Sequence, residues 1–288
     1  MHDKKYVFAG NRFFVVEKML QLQLHVEEIF AVKESYLERE LHNRRIPFTP
    51  LTSKKQLIEA LYSLNFDFFI SNGCPFILPI SKLTRDSTKK FINIHPSLLP
   101  DLRGADPVPG ALFFGRRSGV TCHVMDDEID SGDIIAQIPI EITECLDCGL
   151  LYQLSFIAEQ EVFIAALKRN FEPIKKQTPL KSHIYYTLKN DDLRIDFSED
   201  DQSLLRKIKA FNTHSQGAFF YYKQNKIKVL DAEIVTSPFL IQRISNYKDN
   251  EVVFNYEKRL LIRKNDKFVK LKQLVGDVSF IKPGDILS

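Results

Sequence analysis

Asn93 and His95 are the residues whose types and spacing most readily do chemistry. They stand two apart in the apolar run FINIHPS, so on a strand their side chains project from the same face. An amide N–H and a protonated imidazole held side by side can donate to a carbonyl oxygen that gains negative charge, and an imidazole titrates near the pH where such transfers run. Pro96 follows at once, fixing its own φ and restricting the residue before it, so the backbone of His95 has little freedom. His123 alternates with apolar residues in GVTCHVMD and reads as a packing residue. His25, His183 and His214 carry no usable signal.

A rigid scaffold must hold the pair, and the first 170 residues have its pattern. Short apolar runs (KYVFAG, VEEIFAVK, FDFFISNG, FINIHPS) alternate with helical periods (RFFVVEKMLQLQ, SYLERELHNRR, SKKQLIEALYSL), which predicts an α/β fold with a mostly parallel sheet and flanking helices. Ligands of such sheets sit beyond the carboxyl ends of the strands, where NGCPFILP and HPSLLPDLRG fall. GVTCHVMD and DIIAQIPIEI read as two more strands joined by DEIDSG, and a long helical period follows from Leu150. After Pro173 a polar connector leads to a helix at SLLRKIKAF and then to short alternating runs, a small β-rich module with a barrel-like pattern. The expected division is a catalytic domain over residues 1–178 and a linker helix with a small β-rich C-terminal domain over residues 179–288.

Composition narrows the classes. With 44% hydrophobic and 27% charged residues in 288, the chain is expected to fold rather than stay disordered. Residues 171–288 hold 21 Lys and Arg against 15 Asp and Glu, a modest basic excess that suits a phosphate-bearing small ligand and falls short of a nucleic-acid-binding tail. The N-terminus lacks a signal-type apolar segment, and no run of about 18 apolar residues occurs; a cytoplasmic protein that makes no membrane contact is expected. Cys145 and Cys148 form a CxxC without a second Cys/His pair, so no metal site is expected.

The stretch from Asn93 to Gly104 resembles the signature of the folate-dependent formyltransferases: Asn, any residue, His, then Ser-Leu-Leu-Pro and a following Gly, matched here by Asn93, His95, Ser97, Leu98, Leu99, Pro100 and Gly104. Their second motif, Gly-Val-Thr followed by Asp-x-Gly-x-Ile, resembles GVTCHVMDDEIDSGDIIAQ and puts Asp130 at the catalytic aspartate. The resemblance extends more weakly over almost the whole chain. It implies an enzyme moving the formyl group of N10-formyltetrahydrofolate to an amine, with Asn93 and His95 as donors to the formyl oxygen and Asp130 favouring the imidazolium and accepting a proton. It also implies cofactor contacts from Cys74, Pro75, Phe76, Ile77 and Leu78, and from Ser131, Gly132 and Asp133; each group reads equally as a turn.

The relatives differ in acceptor. Glycinamide-ribonucleotide enzymes have a Gly-rich phosphate loop after strand one, where this chain reads AGNRFFVVEK. Methionyl-tRNA enzymes carry a basic, Gly-rich insertion after strand two, where this chain has the mixed-charge AVKESYLERELHNRR. The chain most resembles the sugar-nucleotide N-formyltransferases, which implies a dTDP-linked 4-amino-4,6-dideoxyglucose or its 3-amino isomer as substrate in surface-polysaccharide synthesis, such as that of O-antigen, and a homodimer. Asn11, Arg12, Ser97 and Arg103 are candidate substrate contacts, and Phe220 or Tyr222 could stack a nucleobase or only pack their strand. A methionyl-tRNA formyltransferase is the alternative enzyme, and a binding or assembly module without catalysis is the alternative of a different class.

Overall fold

The structure, a computed structural model, describes residues 4–85, 88–213 and 216–288, which leaves His214 outside the described residues. The chain divides into two compact units. The first comprises residues 1–107, 117–141 and 153–186, and the second residues 108–116, 142–152 and 187–288.

The first unit contains β1 (Lys5–Gly10), α1 (Phe13–Gln21), β2 (His25–Val32), α2 (Tyr36–Asn43), β3 (Thr49–Leu51), α3 (Lys54–Ser63), β4 (Phe68–Asn72), α4 (Ile80–Leu83) and β5 (Lys90–His95). After α5 (Pro107–Phe113) come β6 (Ser118–Val124), β7 (Ile134–Ile140) and α6 (Cys148–Lys168). Seven strands form one sheet in the order β3-β2-β1-β4-β5-β6-β7. β1 to β5 pair in parallel, whereas β6 and β7 run antiparallel, so the mostly parallel sheet expected from the sequence is present. Among these strands only β3 has no counterpart in the sequence reading, because three residues containing a proline carry no period; the short helices α4 and α5 have none either.

Strand alternation makes the two apolar faces. Tyr6 and Phe8 of β1 pack with Ile92 and Ile94 of β5 and with Val16, Val162 and Phe163 of α1 and α6, while Val7 and Ala9 join Phe69 and Phe91 with Leu57 and Leu61 of α3 on the other face. Ser35 and Ser53 cap α2 and α3 by accepting from the N–H groups of Glu38 and Gln56. Among the described residues α6 is the one helix long and apolar enough to cross a membrane, yet its Ala158, Val162, Phe163 and Ala166 lie in the core of the sheet.

The strand order turns at β1 and β4, which is where doubly wound sheets open a crevice. Gly10 permits this: a Cβ there would lie 2.0 Å from the carbonyl oxygen of Asn72.

The second unit contains α7 (Asp201–Ala210), β8 (Ala218–Tyr222), β9 (Asn225–Val235), α8 (Pro238–Ile241), β10 (Val252–Tyr256), β11 (Arg259–Lys264) and β12 (Lys267–Val275). Its five strands pair antiparallel in the order β10-β11-β12-β9-β8. Tight turns with positive φ at Lys223–Gln224 and Glu257–Lys258 join consecutive strands. Among the described residues the sheet is open, with β8 and β10 as its two edges, so the barrel-like closure that short alternating runs suggested is not made by pairing of these strands.

Because the Gly10 contact is to backbone, no rotamer change can relieve a larger residue there. Gly10→Ala should destabilise the protein by about 2 to 3 kcal/mol, read as a lower urea midpoint with an unchanged slope.

Candidate active site

β5 sends Phe91, Asn93 and His95 to one face while Ile92 and Ile94 fill the core on the other. His95 is only 5% exposed. Its Nε2 lies 2.9 Å from the carbonyl oxygen of Leu102; a carbonyl only accepts, so Nε2 carries the hydrogen and donates. Nδ1 then faces Oδ2 of Asp130 at 3.5 Å.

Two loops deliver these partners from strained backbone. Leu102 has φ +57° and Gly104 φ +105°, and a Cβ on Gly104 would lie 2.5 Å from the carbonyl oxygen of Tyr186. Asp130 itself has φ +51°. The N–H of Gly104 donates to Asp130 Oδ2 at 3.0 Å, so the loop that fixes His95 also holds the carboxylate.

Asn93 closes the cluster. Its Nδ2 donates to Asp130 Oδ1 and to His123 Nε2, each at 3.2 Å, and His123 Nδ1 donates to the carbonyl of Val124 at 2.7 Å. His123 is buried, as a packing residue should be, but it is also the fourth member of this polar cluster. Alternation along β6 indicated its face; only the sheet register, which sets His123 opposite Asn93, revealed its partner.

A cavity of about 320 Å³ opens over this cluster. Asn93, His95, His123 and Asp130 line it, and Cys74, Pro75, Phe76, Ile77 and Leu78 form an apolar wall together with Met125 and Ile129. Arg12 lines it as well. Ser131, Gly132 and Asp133 do not line it; they shape the turn that carries Asp130. A Cβ on Gly132 would lie 1.9 Å from the carbonyl oxygen of Val124, and the carbonyl of Asp133 accepts from the Val124 N–H at 2.9 Å.

The other expected contacts divide. Ser97 is buried and braces its loop, donating from Oγ to the Asp101 carbonyl at 2.8 Å and accepting from Thr121 at its own carbonyl. Arg103 donates to Gln177 at 2.8 Å and lies outside the cavity lining, and exposed Asn11 hydrogen-bonds through its backbone to Asn72 and Leu37. In the second unit Phe220 is 1% exposed and meets Phe197 edge-on, so it offers no face to a nucleobase; strand alternation turned it into the core. Tyr222 stacks on Phe280 at 5.8 Å.

Residues 25–167 match the formyl transferase family, and residues 187–276 match the formyl transferase C-terminal domain. A methionyl-tRNA formyltransferase of Thermotoga sp. strain RQ2 is 32% identical over 213 residues, which span 72% of this chain and 67% of that protein. The chain belongs to the formyl transferase family. Among solved structures, a Helicobacter canadensis N-formyltransferase in complex with folinic acid and dTDP-3-aminofucose has a TM-score of 0.71 at 20% identity, covering 94% of this chain and all of that one. A 4-N formyltransferase from Francisella tularensis has a TM-score of 0.66 at 23% identity over 78% of this chain and 96% of its own. Likeness at these identities shows the shared fold, and family membership makes the chain an enzyme that transfers formyl groups.

Electrostatics of this formyltransferase cluster follow from burial. Burial lowers the pKa of His95 below the usual imidazole value, by more than the neighbouring Asp130 raises it. Burial thus opposes the protonated ring that the sequence reading expected, while the Asp130 carboxylate favours it. For Asp130 burial acts upward, but attraction to His95, the contact with His123 and the Gly104 N–H outweigh it and hold the carboxyl well below the usual carboxylate range.

Two residues escaped the sequence reading. Glu159 of α6 is fully buried beside Arg12, whose Nε lies 3.4 Å away, and burial pushes its pKa up to about 7 despite Arg12 and Asn72. Its signal is a single acid on the buried stripe of an apolar helix. Gln177, in the connector, donates to the carbonyls of Asp130 and Gly132, and nothing in its local sequence marks it.

His95 and Asp130 both bind fewer protons in the folded state than in the unfolded one, so stability falls as pH drops: for His95 from the ordinary imidazole range downward, and for Asp130 only from the ordinary carboxylate range downward. By NMR, His95 should titrate below ordinary histidines, and Asp130→Asn should lower it further, since the carboxylate is what raises it. An unchanged His95 titration in that variant would disprove the coupling.

Proposed function

We propose that this formyltransferase moves the formyl group of N10-formyltetrahydrofolate to the amine of a nucleotide-linked amino sugar, with dTDP-4-amino-4,6-dideoxyglucose or its 3-amino isomer as the best candidates, in surface-polysaccharide synthesis. The observation that carries the acceptor class is the whole-length likeness to the Helicobacter N-formyltransferase whose complex holds folinic acid and dTDP-3-aminofucose. The structure of the β2–α2 region agrees. Only Lys33 to Ser35 separate these elements, and α2 mixes Glu38 and Glu40 with Arg39, so no basic loop follows β2 to meet the phosphates of a tRNA. Methionyl-tRNA formyltransferase is the second reading, favoured by the names of relatives 27% and 32% identical in sequence.

The cavity fits a folate. An apolar wall from Cys74 to Leu78 suits a flat ring, and Asn93, His95 and Asp130 supply the polar end. N10-formyltetrahydrofolate would be held there and would supply an activated one-carbon acyl group. Attack by a neutral amine builds negative charge on the formyl oxygen and positive charge on the nitrogen. In our reading Asn93 turns an amide N–H toward that oxygen, sharing it with Asp130. His95 accepts the amine proton at Nδ1, the one ring nitrogen not used by Leu102, and Asp130 at 3.5 Å stabilises the imidazolium that results. His95 would return that proton to the folate nitrogen as the formyl C–N bond breaks and tetrahydrofolate leaves. The assignment differs from the sequence expectation in one respect. The resting His95 is the base, and its Nδ1 becomes a donor only after taking the proton.

Incubation with N10-formyltetrahydrofolate and amino sugars linked to dTDP, UDP or GDP should give a mass gain of one formyl group on a dTDP sugar. Formylation of initiator methionyl-tRNA with none of the sugars would overturn this reading. His95→Asn should lower turnover by about 100-fold or more while leaving folate binding nearly intact. Near-normal turnover in a folded variant would show that the histidine is structural.

A further inference from the structure

The segment after α6 looks in the sequence like a plain polar connector, but its backbone is laid along the loops that carry the reacting pair. Lys175 and Ile134 exchange backbone hydrogen bonds of 2.8 and 3.2 Å just beyond the Asp130 turn. Farther on, Arg103 N–H donates to Ile184 O at 3.2 Å and Tyr186 N–H to Arg103 O at 2.8 Å, so the segment also pairs with the loop between Leu102 and Gly104. Asp101 accepts from the Ile184 N–H at 2.8 Å at the same place.

Between these two anchor points stands Gln177. Its Nε2 donates to the carbonyl of Asp130 at 2.9 Å and to that of Gly132 at 2.7 Å, using both hydrogens of the amide. Its Oε1 accepts from Arg103 Nη2 at 2.8 Å. Two acceptors on one side and a guanidinium on the other fix the orientation of the amide without ambiguity. Asp130 is a non-glycine residue at φ +51°, a conformation that persists only where surrounding contacts impose it. Arg103 lies between Leu102, whose carbonyl orients His95, and Gly104, whose N–H holds Asp130. One side chain thus links the turn that presents the carboxylate to the loop that orients the imidazole.

We propose that Gln177 is a positioning residue for formyl transfer: by tying the Asp130 turn to Arg103 it sets the distance between the Asp130 carboxylate and the His95 ring. The proposal rests on reading His95 and Asp130 as the reacting pair. Gln177 lies outside the cavity lining, so its loss should act on turnover rather than on ligand binding.

The test compares Gln177→Leu, Asp130→Asn and the double variant. Gln177→Leu should lower kcat by roughly 10- to 100-fold, the cost of an error of about an ångström in a reacting geometry, while the dissociation constant for folinic acid changes by less than about threefold. The NMR titration of His95 should move downward, as in Asp130→Asn, a change that loss of packing alone would not produce. The double variant should be no slower than Asp130→Asn, because there is no carboxylate left to position. If Gln177→Leu does not fold, Gln177→Glu is decided by the same measurements, since it keeps the size and the Arg103 contact but loses both donors. Turnover within twofold of the parent, an unmoved His95 titration, or losses that add in the double variant would each overturn the role of Gln177 while leaving the site reading intact. Near-normal turnover in Asp130→Asn would instead remove the reading on which the proposal stands.

Discussion

An ionised carboxylate that is 10% exposed in a largely apolar setting must be met by donors, and Asp130 is met by two, the Gly104 N–H and the Asn93 amide, with the His95 ring edge 3.5 Å away. Removing such a charge from water costs several kcal/mol unless these contacts are made together. The surrounding chain is arranged for that purpose. Asp130 and Leu102 accept left-handed backbone so that a side chain and a carbonyl reach the same spot, and Gly104 is a glycine because Tyr186 leaves no room for a Cβ. The strained loops and the connector are consequences of satisfying one buried charge.

The same charge sets the chemistry of the imidazole. Burial lowers the proton affinity of His95, and the carboxylate beside Nδ1 raises it. A base that is neutral at rest and stabilised on protonation is what an amine needs when it attacks an acyl group. In the proposed mechanism the accepting nitrogen is Nδ1, because the Leu102 carbonyl occupies the other.

The acceptor question turns on features far from this cluster. Identity in sequence points to methionyl-tRNA formyltransferases, whereas likeness of fold includes a sugar N-formyltransferase and an N-formyltransferase in complex with dTDP-3-aminofucose. Both classes can share one reacting centre, because the formyl donor and the amine present the same atoms to it. What separates them is the surface that receives the rest of the acceptor: several phosphates along an acceptor stem or a single diphosphate. In this chain β2 passes through three residues into a short, mixed-charge α2, which is what supports the amino-sugar reading proposed above.

Much of this protein is written locally. Period-2 alternation in KYVFAG and FINIHPS, the serine caps of α2 and α3 and the long apolar period of α6 are short-range signals, so the mostly parallel sheet and the same-face placement of Asn93 and His95 were readable from the residues alone. Asp130 could be named because its turn resembles a known motif, not because its neighbours reveal its partners. The rest depended on register and loop path. His123 joined the cluster because β5 and β6 pair so that it stands opposite Asn93, and Glu159 met Arg12 because α6 packs beside the end of β1. Phe220 turned inward although its sequence gave no sign of which face was buried, and Gln177 found two carbonyls more than forty positions away. Alternation tells a residue which side it lies on. Only the folded chain decides what stands across from it, because burial, proton affinity and hydrogen bonding all depend on groups brought together from distant parts of the sequence.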